Sequence, residues 1–157
     1  MLRQSLLAGL LLLLPGTAMA ETEILATLTA NSGSLPPPYA WHVEVTVSET
    51  GWVTVTRCTG YETEGPACKT GEGAAVSGSV EAILRAAEAS DLATRPATAI
   101  DPPMVGGSWM SGTVKLGEGS IQLIAQPIAA DEDRVATVLQ VIGAAIPEAL
   151  LPILEGE

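Results

Sequence analysis

The sequence predicts an α+β fold, an antiparallel sheet of about four to five strands with two helices packed on one face, in the order β-β-α-β-β-α. Three observations lead there. Two stretches, near residues 41–56 and 114–125, alternate apolar and polar side chains around a glycine-bearing turn, the period of a half-buried strand. Each is followed by a stretch whose apolar residues recur at helical spacing. With no Phe, three Trp and two Tyr, the core between those layers has to be built from Val, Ile, Leu and Ala.

Residues 1–20 stand apart from this fold. Arg3 precedes an apolar run over residues 6–14, and Pro15 and Gly16 break the run before Ala18, Met19 and Ala20. That is the pattern of a secretory signal peptide cleaved before Glu21. The run is well short of the roughly 20 apolar residues that span a bilayer, and no cysteine follows the cut to carry lipid. A periplasmic or secreted protein with no stable membrane anchor is expected. The remaining 137 residues suffice for one domain with a real core.

Residues 21–38 read as an N-terminal strand and a Pro-rich linker. Ile24, Ala26 and Leu28 alternate with Leu25, Thr27 and Thr29 in the manner of an edge strand, and Pro36, Pro37 and Pro38 force an extended connection. The compact domain is expected over residues 39–157. Its first hairpin sets Trp41, Val43, Val45 and Val47 on one side, with His42, Glu44, Thr46 and Ser48 on the other. A three-residue loop at Glu49, Thr50 and Gly51, with Gly51 left-handed, brings Val47 opposite Val53 and Val45 opposite Val55.

A helix follows, with Ser77 or Ser79 as its cap and Val80, Ile83, Leu84 and Ala87 along one face. The second hairpin pairs Val114 and Leu116 with Leu123 and Ile121 if Glu118 and Gly119 form the turn. The last helix is expected to start at Asp131, Glu132 and Asp133, whose carboxylates suit a helix N-terminus, and to present Val135, Val138, Leu139, Ile142 and Ile146. Leu150, Leu151, Ile153 and Leu154 form an apolar tail.

The full chain carries a net charge of −11, and loss of Arg3 with the signal makes it −12. Phosphate backbones and anionic lipid heads repel such a surface, so nucleic acid is excluded as a partner, while cations and basic patches are drawn to it. Cys58 and Cys68 are the two cysteines, and an even pair in an exported chain closes on itself as a disulfide. Their spacing suits neither a redox C-x-x-C pair nor haem attachment.

The alternating hairpin around Gly51, the helix holding Ile83 and Leu84, the later strands and the closing apolar helix cover residues 39–151. In layout they resemble two groups of small bacterial domains: exported domains of unknown function, and emfourin-type inhibitors of thermolysin-like metalloproteases. The second resemblance implies a secreted protease inhibitor. Layout alone transfers no inhibitory residue.

Catalytic and metal-binding sets are thin. His42 is the single histidine, so Ser-His-Asp chemistry would have to rest on it. Gly107, Ser108, Trp109 and Met110 do not complete a nucleophile elbow, and Gly71, Glu72 and Gly73 lack the third glycine of a phosphate loop. One histidine and two paired cysteines make no zinc or blue-copper set, and no cofactor is implied.

What remains is surface. Residues 101–110 form a Pro/Gly loop carrying Met104, Trp109 and Met110 where polar residues are usual, either as a binding loop or folded back to close one end of the core. Trp52 is exposed if nothing covers its face of the sheet, and the stapled Cys58–Cys68 segment offers a further surface. The expected function is an exported, soluble, non-catalytic binding or accessory domain of unknown ligand, with another envelope or secreted protein as the candidate partner. The alternatives are a secreted protease inhibitor and a small hydrolase using carboxylates.

Overall fold

The computed structural model describes residues 23–60 and 67–156. The signal segment and its cleavage before Glu21 lie outside them, as does most of the stapled loop. The fold is α+β, and the described residues form six strands rather than four or five and three α-helices rather than two. The strands are β1 (Ile24–Asn31), β2 (Trp41–Ser48), β3 (Trp52–Thr59), β4 (Ala67–Ala74), β5 (Trp109–Leu116) and β6 (Gly119–Leu123). The helices are α1 (Ser79–Ala89), α2 (Ala129–Ala144) and α3 (Leu151–Glu155). All strand pairs are antiparallel, in the spatial order β4-β3-β2-β1-β5-β6.

The first hairpin forms as its valines require. Val47 pairs with Val53 and Val45 with Val55 around Gly51, whose φ is 75°. The second hairpin differs from expectation by two residues: Val114 pairs with Ile121 and Gly112 with Leu123, and the turn is Gly117–Glu118. A shift of two keeps every side chain on its own face, so burial does not choose between the registers. The left-handed turn position does, and Gly117 takes it with φ 57°.

β1 is not an edge strand but lies between β2 and β5. A register shift between Ile24 and Ala26 turns both Leu25 and Ala26 into the core. β4, unforeseen, pairs along its whole length with β3. Its inward positions include Lys69, Gly71 and Gly73, and the bare glycines admit the chain's end: a Cβ on Gly71 would stand 2.4 Å from Ile153 Cδ1 and 3.0 Å from Leu150 Cδ2.

The helices cover one face of the sheet. Ile83 and Ala87 of α1 and Val135, Val138, Leu139 and Ile142 of α2 are buried against Val43, Val45, Val53, Val55 and Val114. Neither serine caps α1. Gly78, left-handed, precedes Ser79, the first helical residue. α2 starts two residues before the acidic run, because Asp131 turns inward to other partners. The apolar tail is a 3-10 turn (Glu148–Leu150) followed by α3. The Arg57 guanidinium holds α3 down: Nη1 donates to the Leu154 carbonyl at 2.7 Å, and Cζ lies 4.9 Å from the Trp41 ring centre. Among the described residues no single helix is long and apolar enough to cross a membrane. α2 and the closing segment reach that length and composition only as a pair bent by 93°.

Candidate binding site

No helix among the described residues covers the opposite face of the sheet. Its outward positions are mostly hydroxylated: Thr27, Thr29, Thr46, Thr54, Thr56, Thr70, Ser111 and Thr113, with cross-strand hydrogen bonds between Thr27 and Thr113 (2.8 Å) and between Thr56 and Thr70 (3.0 Å). Such pairs satisfy one another and suit a solvated sheet. Trp52 lies on this face, 46% exposed, with Nε1 3.4 Å from Glu72 Oε2. His42 is at the far end of the same face, opposite Cys58. Cys58 and Cys68 are direct cross-strand neighbours joined by a disulfide, with Cα atoms 4.0 Å apart.

The other three residues singled out in the sequence come together elsewhere. Met104, Trp109 and Met110 line a cavity of about 1100 Å³ at the end of the sheet where β1 stops and β5 begins; Met110, paired with Ala30, is on the helix side, and Trp109, paired with Asn31, starts β5 in phase with the outer face, at the rim. Trp109 and Met110 do not close the core. Met110 is 50% exposed and Met104 69%. The cavity's deeper wall is Ala30, Trp41, Ile124, Val135 and Leu139. Room exists because Ala30, small, is the strand partner of Met110. Along α2, Ala129, Glu132, Ala136 and Gln140 recur at helical spacing and form the remaining side.

Loop 100–108 stands over this space, and three sets of contacts place it. The Gln126 side-chain amide grips the Met104 backbone twice, accepting from its N–H at 2.8 Å and donating to its C=O at 2.9 Å. Ile100 N–H donates to the Gln126 carbonyl at 3.0 Å, extending a bridge between Ala99 and Pro127. Gly33 abuts Gly107 so closely that a Cβ would lie 1.9 Å from the Gly107 carbonyl oxygen. A second cavity, about 360 Å³, adjoins the first across Trp41 and residues 106–108 and reaches Ser34 and Leu35.

α2 is anchored beside the mouth. The buried Asp131 carboxylate accepts from Arg134 Nη2 at 2.6 Å and from Thr98 N–H at 2.9 Å. Arg134 Nη1 in turn donates to the Ser90 and Arg95 carbonyls. The Arg134 hydrogen bond, and then that from Thr98, hold the Asp131 carboxyl below the usual carboxylate range.

Trp41, Gln126 and Glu132 belong to the site and were not singled out in the sequence. Trp41 sits in the hairpin's apolar stripe and Glu132 in a helix-starting acidic run, each with an ordinary structural explanation. The available signal was Ala129 and Ala136, small residues on an exposed helix side. Among the described residues no three His, Cys, Asp or Glu side chains are grouped to hold a metal. No protein-family model matches the chain, and no curated protein matches its sequence.

Proposed function

We propose that the protein is an exported, non-catalytic binding domain whose ligand is a small molecule with an apolar body, held between α2 and loop 100–108. The observation that carries this reading is the cavity itself. At about 1100 Å³ it slightly exceeds the roughly 300–1,000 Å³ of most small-molecule sites, and its aliphatic, Met and Trp lining with a few polar groups is their usual make-up. A dissolved monomeric protein ordinarily fills or covers such a surface.

Three features support binding over turnover. Glu132 is the single carboxylate among the described residues that line the cavity, whereas a carboxylate hydrolase needs two across its cleft. His42 is on the other face of the sheet. Ser108 lines the cavity with no histidine beside it to activate it. The Cys58–Cys68 disulfide fits a compartment outside the cytoplasm.

Ala136→Trp tests the reading, because Ala136 is exposed on α2 and faces the cavity without belonging to the core. Nile red, a neutral apolar dye, is expected to brighten with the native protein and not with the variant, at unchanged melting temperature. Equal brightening with both proteins, or none with either, would refute the site.

A further inference from the structure

We infer that the ligand is a cationic amphiphile, an apolar chain ending in an ammonium or amine group; this rests on the cavity being the binding site. Among the described residues that line the cavity, Glu132 alone is charged, and no Lys, Arg or His is among them. Glu132 is exposed in the first turn of α2 and makes no hydrogen bond or ion pair with the described residues, so its carboxylate is available at the mouth. Trp41, on the inward side of β2, adds an aromatic side chain to the lining, a group that attracts cations more than anions.

Two nearby features favour anions, and each is offset. The positive end of α2 is met by Asp131 and Glu132 in its own first turn. The Arg134 charge is held by Asp131 at 2.6 Å. Arg57, which stacks on Trp41, donates to the Leu154 carbonyl and does not line the cavity. The net charge of −11 adds a long-range attraction for cations. The adjoining cavity past Trp41 gives an extended tail somewhere to lie.

The test compares three probes with the same decyl chain, below micelle-forming concentrations: decyltrimethylammonium, decyl maltoside and decanoate. Binding to the full chain is followed by tryptophan fluorescence in a Trp52→Phe background, since Trp52 is remote from the cavity. At low salt the cationic probe is expected to bind about 3- to 10-fold more tightly than the neutral one, with decanoate weakest and the preference shrinking as salt rises. Glu132→Gln is expected to weaken the cationic probe about 2- to 5-fold while leaving the neutral probe within twofold. If the neutral probe or decanoate binds as tightly as the cation, the charge preference is overturned and the cavity stands. If Glu132→Gln leaves the cationic preference intact, the role of Glu132 is overturned. If no probe binds, the cavity reading falls as well.

Discussion

Reduction of the Cys58–Cys68 bridge is expected to cost this fold a measurable part of its stability. The two residues are 10 positions apart, and the entropy released by opening a loop of that size corresponds to about 2.7 kcal/mol at 25 °C. Reduction therefore lowers the melting temperature by about 8–13 °C, at roughly 3–5 °C per kcal/mol for a domain of this length. The bridge adds to the full-length β3 ladder and to the packing of Leu150 and Ile153 on Gly71 in holding β4 in place. Differential scanning fluorimetry with and without a phosphine reductant, and on a Cys58→Ser/Cys68→Ser protein, measures the effect. The double variant controls for reductant effects and is expected to match the reduced native protein. A shift under about 2 °C in both would refute the loop-entropy argument.

Gly71→Val is expected to push Ile153 and Leu150 off β4, costing about 1–3 kcal/mol and raising hydrogen exchange over residues 148–155. Arg57→Met keeps apolar contact with Trp41 but leaves the Leu154 carbonyl without its donor, for a loss of about 1–2 kcal/mol in urea denaturation and faster exchange in α3. Asp131 titrates below its ordinary value in the folded protein, so its stabilising effect is complete above about pH 4 and disappears as pH falls through the lowered folded value. Asp131→Asn is accordingly expected to lower the melting temperature at pH 6–7, with the difference shrinking as pH falls below about 4; equal curves at neutral pH would contradict the Asp131–Arg134–Thr98 linkage.

The parts of the fold readable from residues 41–56 and 80–92 are those where apolar period and burial coincide. Val43, Val45, Val47, Val53 and Val55 all face the helices, so a single register satisfies them. β4 escaped because its inward side is Lys69, Gly71 and Gly73, a pattern with no apolar period: the apolar atoms that fill that space come from Leu150 and Ile153, about 80 residues later. β1 gave a weak signal for a related reason. The shift at Ile24/Ala26 breaks its alternation, and nothing local says that β5 will pair with its other edge. At the site, Met104, Trp109 and Met110 were visible as apolar residues in a Pro/Gly loop. The wall opposite them was not, because Ala30, Trp41, Ile124 and Leu139 meet only through the tertiary fold.

The central place of β1 also bears on how fast the chain folds. Thr27 pairs with Thr113, 86 positions along, and without that strand the sheet order leaves β4-β3-β2 and β5-β6 as separate pieces. The first strand to be synthesised therefore waits for one of the last before the core closes, the kind of long-range pairing that slows folding toward milliseconds to seconds. Under the export proposed above, this delay keeps the chain threadable until it has crossed the membrane. A tag or fusion placed directly against Ile24 would burden the one strand on which both halves of the sheet depend.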